Sequence, residues 1–238
     1  MLTLAIDTST KTASIALLED DVVLSEVFIN LNLHHSVTLL PAMENLTRVA
    51  GTTPDRADLL ACTTGPGSFT GLRIGISTVK GLALATGRPV VGVSTLDALA
   101  LNLVPSSMTI CPMLDAGKKQ VWTAIYRIGR KGIPEKTGKE LVTDVEKFLR
   151  DLDREEEIIF VGDGAIKYSS LIGEILPERS FLATGHHQFI RAAAVGMLGR
   201  RKFNDGDILD FITFTPLYLR PSVVYSGSGS TCDSDIRP

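Results

Sequence analysis

The chain has 238 residues, of which 44% are hydrophobic and 21% charged, with a formal net charge of −3. That length supports two small domains with substantial cores, and no apolar stretch is long enough to span a bilayer. The acidic balance lacks the electrostatic footprint of a protein that grips RNA alone, so any RNA contact is expected to be shared with a partner.

Three strands are predicted first, at residues 2–6, 13–18 and 22–29, the last two joined by Glu19-Asp20-Asp21 in an antiparallel meander. A helix over 36–50 follows, with Ser36 as N-cap, Gly51 as terminator and Val37, Leu40, Met43, Leu46 (or Thr47) and Ala50 at helical spacing on its inner face. Leu59 to Thr63 reads as a buried parallel strand ending at Gly65-Pro66-Gly67. The next helix, 71–85, carries Leu72, Ile76, Val79 and Ala83 on one face; a strand over 89–93 and a helix over 96–103 complete a first lobe, 1–104. The second lobe, 105–225, repeats the meander at 109–115, 120–128 and 137–142. A helix near 144–152, a strand over 158–161 and helices near 165–175 and 188–202 follow, the last able to pack back on the first lobe. Residues 226–230 are Ser and Gly only, and 226–238 is expected to be a disordered tail. No basic segment precedes the first strand, so a signal peptide is not expected. Cys62, Cys111 and Cys232 are few and scattered, which suits reduced thiols in a cytoplasm.

One pattern is written twice. Leu2–Ile6 runs into Asp7-Thr8-Ser9 and then another strand; Thr109–Leu114 runs into Asp115-Ala116-Gly117 and then another strand. Two similar facing lobes of mixed sheet flanked by helices form an α/β protein of the actin-like ATPase (ASKHA) type, whose cleft usually holds a nucleotide. Asp7 could hold a magnesium-bound water, Thr8 or Ser9 could touch a phosphate, and Gly162 and Gly164 around Asp163 could let an adenosine lie close. Each acidic turn is equally well explained as a turn closed on backbone N–H groups. Gly65-Pro66-Gly67-Ser68-Phe69-Thr70-Gly71 joins a strand to a helix, where N–H groups can approach an anion. It lacks the Lys-Ser/Thr ending of a P-loop and the spacing of a dinucleotide fingerprint, and a tight loop capped by Ser68 or Thr70 is the simpler reading. His34-His35 and His186-His187 are the only histidines, and adjacent residues diverge on any regular element. No zinc-type spacing and no Gly-x-Ser-x-Gly elbow occurs, so no catalytic residue is assigned.

Ile6-Asp7-Thr8-Ser9, His35-Ser36 with Leu40-Pro41, and the block Gly65–Gly75 (GPGSFTGLRIG) resemble the TsaB (YeaZ) family. The match continues through Lys80-Gly81-Leu82-Ala83 and Val91–Leu96. It is thinner in the second lobe, at Asp115-Ala116-Gly117, Val161–Ala165 and Tyr218-Leu219-Arg220. The resemblance implies a noncatalytic scaffold or dimerisation subunit in the making of threonylcarbamoyladenosine beside the anticodon of tRNA. It implies binding to the paralogous transferase TsaD and support from the ATPase TsaE, with a homodimer when alone and tRNA met only through the complex. TsaD carries an HxxxH metal motif where this chain has Thr95 and Leu99. No metal or cofactor is therefore expected here, ATP and metal belonging to partner subunits, and the Asp7, Thr8, Ser9, Gly65, Gly67, Asp115, Gly162 and Gly164 cleft would be vestigial. The expected partner interface lies on helices 36–50 and 71–85, through His35, Leu39, Met43, Leu72, Gly75, Ile76 and Val79. The competing reading is an ATP-dependent small-molecule phosphotransferase using Asp7 and the cleft; a stand-alone metallopeptidase lacks ligands.

Overall fold

The computed structural model describes residues 1–31, 33–153, 155–210, 213 and 215. The 226–238 tail, Cys232 and Tyr218-Leu219-Arg220 lie outside the described residues.

The first sheet is built from β1 (Leu2–Asp7), β2 (Ala13–Glu19), β3 (Val22–Ile29), β4 (Leu59–Gly65) and β5 (Val90–Ser94), in the order β3-β2-β1-β4-β5. β1, β4 and β5 run parallel, and the other pairs are antiparallel. The central strands are apolar on both faces because both faces are covered. Leu4, Ile6, Ile15, Leu17, Leu60 and Cys62 meet one core, under α1 (His35–Val49) and α2 (Phe69–Thr86). The alternating Ala5, Ala16, Leu18 and Ala61 meet a second core on the opposite face.

The second sheet repeats this plan. Its strands are β6 (Thr109–Gly117), β7 (Gln120–Thr123), β10 (Leu141–Asp144), β11 (Ile158–Val161) and β12 (Ser180–Leu182). They lie in the order β10-β7-β6-β11-β12, with β8 (Tyr126–Ile128) and β9 (Pro134–Lys136) as a side hairpin. Position by position the order matches the first sheet, and Asp7 and Asp115 close on the equivalent strands β1 and β6. Outer helices α4 (Val145–Asp151), α5 (Asp163–Lys167) and α6 (Ser169–Ile175) cover Cys111, Met113, Ile158 and Phe160.

Two helices cross between the lobes. α3 (Thr95–Leu101) follows β5 and packs on β6, whereas α7 (Ala192–Asn204) follows the second sheet and lies on β1, β2, β4 and β5. One core results, containing Ala5, Ala61 and Val93 from the first sheet, Ile110, Leu114 and Val161 from the second, and Leu96, Leu99, Ala192 and Val195 from the crossing helices. The alanines of the first sheet face glycines of α7, so the helix sits close: a Cβ on Gly199 would stand 2.7 Å from that of Ala61. The start of α7 is pinned by Glu26 of β3. Its carboxylate pairs with Arg191 at 2.6 Å and accepts from Ala193 N, while Ser14 Oγ accepts from Ala192 N. A negative group there also suits the helix dipole. After α7 the chain lays Leu209 beside Val90, and Lys202 Nζ donates to the Gly92 carbonyl, closing the outer edge of β5.

Several expectations need correction. The strand expected over 120–128 divides into β7 and β8; the break falls opposite Pro112, which has no N–H to give to a ladder. The helix expected over 165–175 is two short ones meeting at Tyr168, and β12 was not anticipated. His34, not Ser36, is the N-cap of α1. Val37 and Leu40 face solvent, at 68% and 54% exposure, while the inward stripe is Leu39, Met43, Leu46 and Thr47. Among the described residues no helix is long and apolar enough to cross a membrane.

Because Ala61 lies on a central strand with no room to retreat, Gly199→Val should overpack the shared core. The expected loss is about 1–3 kcal/mol of unfolding free energy by urea titration; an unchanged midpoint would mean that α7 can lift from the sheet without loss.

Candidate functional site

Between the lobes lies a cleft of about 730 Å³. One wall comes from the turn after β1 (Ser9, Thr10, Lys11), the segment before α1 (Leu31, Leu33, His34) and the start of α2 (Gly67, Ser68, Thr70, Gly71, Ile74). The other comes from the end of β6 (Leu114–Gly117), Trp122, Asp163 and Lys167. Of the residues expected there, Ser9, Gly67 and Asp115 line it; Asp7, Thr8, Gly65, Gly162 and Gly164 do not. Lys11, Trp122 and Lys167 were not singled out from the sequence, because none stands in a motif; only the folding of both lobes brings them together.

Asp7 is fully buried. Its Oδ1 accepts from Ser9 Oγ (2.6 Å), Thr63 Oγ1 (2.7 Å) and Ser9 N (3.1 Å), whereas Oδ2 has no partner. Burial outweighs these bonds and pushes the carboxyl above its ordinary range. Of the two readings of Asp7, the turn-closing one fits this geometry, and the carboxyl is not among the groups that line the cleft.

The glycine-rich block has a packing explanation. A Cβ on Gly67 would collide with the Ser9 carbonyl, on Gly71 with the Thr8 carbonyl, and on Gly75 with Thr8 Oγ1. Thr8 Oγ1 donates to the Gly71 carbonyl at 2.7 Å, and Ser68 N donates to the Ser9 carbonyl at 2.7 Å. The glycines let the start of α2 lie directly on the turn after β1, and Ser68 caps the helix by accepting from Gly71 N. On the second lobe, Gly162 and Gly164 are pressed in the same way against the Met113 carbonyl.

Polar groups at the cleft are largely occupied. Asp115 pairs with Lys167 at 2.6 Å, and its carboxylate raises the Lys167 ammonium above its usual range. Asp163 accepts from Asp115 N at 3.0 Å and is pushed upward by burial. His35 donates through Nε2 to the Thr10 carbonyl at 2.8 Å, so it ties α1 to the first turn. Cys62 and Cys111 are buried, and burial lifts both thiols to about 12. Thr95 and Leu99 are fully buried at the start of and within α3. Among the described residues, no group of three or more His, Cys, Asp or Glu side chains is placed to share a metal ion.

The expected interface set is also corrected. Leu39, Met43, Leu72, Ile76 and Val79 are at most 5% exposed and fill the core between α1, α2 and the first sheet, and Gly75 is packed on Thr8. Of that set only His35 is partly exposed. The apolar surface of these helices consists instead of Val37, Leu40, Val49, Phe69 and Leu84, the last 77% exposed.

Comparison with known proteins agrees with this architecture. The profile of the family described as TsaD: tRNA N6-adenosine threonylcarbamoyltransferase matches residues 23–196. The tRNA threonylcarbamoyladenosine biosynthesis protein TsaB of Bacillus subtilis (strain 168) is 32% identical over 92% of this chain and 94% of its own length. That of Escherichia coli (strain K12) is 31% identical over 93% and 96%. The solved structure of YeaZ from Pseudomonas aeruginosa superposes with a TM-score of 0.79 at 29% identity, covering 92% of this chain and 99% of that one.

The buried carboxyl of Asp7 has a consequence for pH. A carboxyl whose folded value is raised stabilises the fold fully below its unfolded value, about 4, and this contribution is lost as pH rises through the folded value. Asp7→Asn keeps the accepting oxygen and abolishes the titration. Its melting temperature relative to wild type should therefore climb as pH rises above about 4; a difference that stays constant with pH would show that Asp7 titrates normally.

Proposed function

The chain belongs to the TsaB family and takes part in tRNA threonylcarbamoyladenosine biosynthesis, and from that membership we propose that it is a noncatalytic subunit whose exposed α1–α2 face receives TsaD. The observation that carries this reading is a surface the chain does not need for its own fold. Val37, Leu40, Val49 and Leu84 project from α1 and α2 at 54–77% exposure. On α2, Ser77, Gly81 and Ala85 follow at four-residue spacing on the exposed side. Gly81 lies inside an eighteen-residue helix, yet a Cβ there would meet nothing within 4 Å. An interior helix glycine costs about 1 kcal/mol relative to alanine, and nothing among the described residues compensates that cost. Close approach of a partner helix does. The same face can pair two copies of the chain when TsaD is absent.

The noncatalytic part of the reading is supported by Thr95 and Leu99, which fill the shared core at the positions of the TsaD metal motif and offer no imidazole. The glycine block, taken up by backbone packing, and the enclosed Asp7 weigh against an ATP-dependent phosphotransferase. Metal and ATP are accordingly assigned to the partner subunits, with TsaE completing the assembly and tRNA met within it.

Leu40→Asp/Leu84→Asp tests the face, since both side chains are already in water and their replacement should leave the melting temperature within about 1 °C. Affinity for purified TsaD should fall at least about tenfold, because the introduced carboxylates would be buried unpaired. Wild-type affinity in the folded variant would remove this face from consideration. The cofactor assignment is checked on the chain purified alone: stoichiometric iron or zinc, with threonylcarbamoyl transfer that a chelator abolishes, would overturn it.

A further inference from the structure

The turn joining β6 and β7 is made of the wrong residues for its shape. Gly117 pairs with Gln120, leaving Lys118 and Lys119 as a two-residue hairpin loop. Their φ angles are +51° and +58°, following +71° at Gly117. Such a loop, left-handed at both central positions, is the usual place for Asn-Gly, because a β-carbon is disfavoured there. Two lysines hold that conformation at a cost in stability that no side-chain contact of theirs offsets: both side chains are exposed, and neither side chain makes a hydrogen bond or ion pair among the described residues. Strained, exposed residues of one charge on a hairpin tip point to a partner of the opposite charge.

The surroundings leave the tip positive. Val145 N donates to the Lys119 carbonyl at 3.0 Å, which sets the start of α4 against the hairpin, with Lys147 exposed and without an ion pair among the described residues. The carboxylates on the adjoining elements are committed. Asp115 is held by Lys167 and by Gly117 N, Asp144 caps α4 by accepting from Lys147 N, and Glu146 pairs with Arg150 at 2.7 Å. Asp163 is bonded to Asp115 N and pushed upward by burial.

We infer that the Lys118–Lys119 tip is a phosphate-contacting finger that touches the backbone of the tRNA bound by the assembly. The inference rests on the proposed membership of a TsaD complex, and it adds that this subunit itself meets the RNA. A chain of net charge −3 has no general attraction for RNA, so a contact has to be local, and a two-lysine tip supplies about two phosphate contacts.

The test replaces the loop with the residues its geometry favours, Lys118→Asn/Lys119→Gly. Relief of strain should raise the melting temperature of the chain by about 2–4 °C. Wild-type and variant chains are then assembled with TsaD, and an unmodified tRNA transcript is titrated by fluorescence anisotropy between 50 and 200 mM salt. The variant should assemble normally and bind the transcript about tenfold more weakly at 100 mM salt. Its slope of log affinity against log salt should be shallower by about 1.4–1.8, the signature of two lost phosphate contacts. Unchanged affinity and slope in a normally assembled complex would overturn the inference, and a melting temperature that does not rise would remove its premise. Should the wild-type chain fail to assemble with TsaD, the proposed function fails separately. Titration of the chain alone at 20 mM salt then decides the inference, the same change in slope supporting it and its absence overturning it.

Discussion

The fold depends on one exchange: each lobe lends a helix to the other. α3 leaves the first sheet to cover β6, and α7 leaves the second to cover β1, β2, β4 and β5, so Leu99, Val195, Ile110 and Ala61 belong to a single core. Burial of that apolar surface binds lobe to lobe by the same effect that binds sheet to helix within a lobe. The relative position of the lobes is therefore a property of packing. The cleft owes its walls to the same exchange, since the ends of β1 and β6 face each other only because the core beneath them is common.

Close approach is the second constraint. At Gly67, Gly71 and Gly75 the missing β-carbons bring α2 onto the turn after β1, and at Gly196 and Gly199 they bring α7 onto the first sheet. In both places the neighbours are backbone oxygens, small side chains or the methyl groups of Leu18, and the polar groups drawn in are bonded: Thr8 to Gly71, Ser68 to Ser9. A glycine-rich strand-to-helix turn of this kind looks from its composition like an anion cradle. Here its steric partners lie within the chain.

Much of the fold was legible because strand and turn chemistry repeat. Asp7 and Asp115 at the ends of hydrophobic runs marked the duplicated strands, and the identical sheet orders carry that duplication through. The helix face was not legible. Val37, Leu39, Leu40, Met43, Leu46 and Val49 are spread so widely around α1 that two stripes satisfy helical spacing, and only the position of the sheet selects Leu39, Met43 and Leu46 for burial. A surplus of apolar residues on a helix is visible in the sequence; which half of it is surplus is decided in three dimensions. The cleft was half legible for a related reason. Its acidic turns sit at recognisable strand ends, but Lys11, Trp122 and Lys167 are isolated in sequence, and the burial of Asp7 depends on Thr63 from another strand.

The crossing of α7 also fixes an order of events during synthesis. Ala5, Ala16, Leu18 and Ala61 emerge from the ribosome early, but the helix that covers them is the last described element of the chain. Until it arrives, that face of the first sheet has only the short α3 against part of it, and the Glu26 carboxylate awaits Arg191 across most of the polypeptide. The amino-terminal lobe is thus not a module that can be completed and released on its own. Its apolar face stays open to unwanted association until α7 has been made, and the first lobe becomes committed to its final form only then.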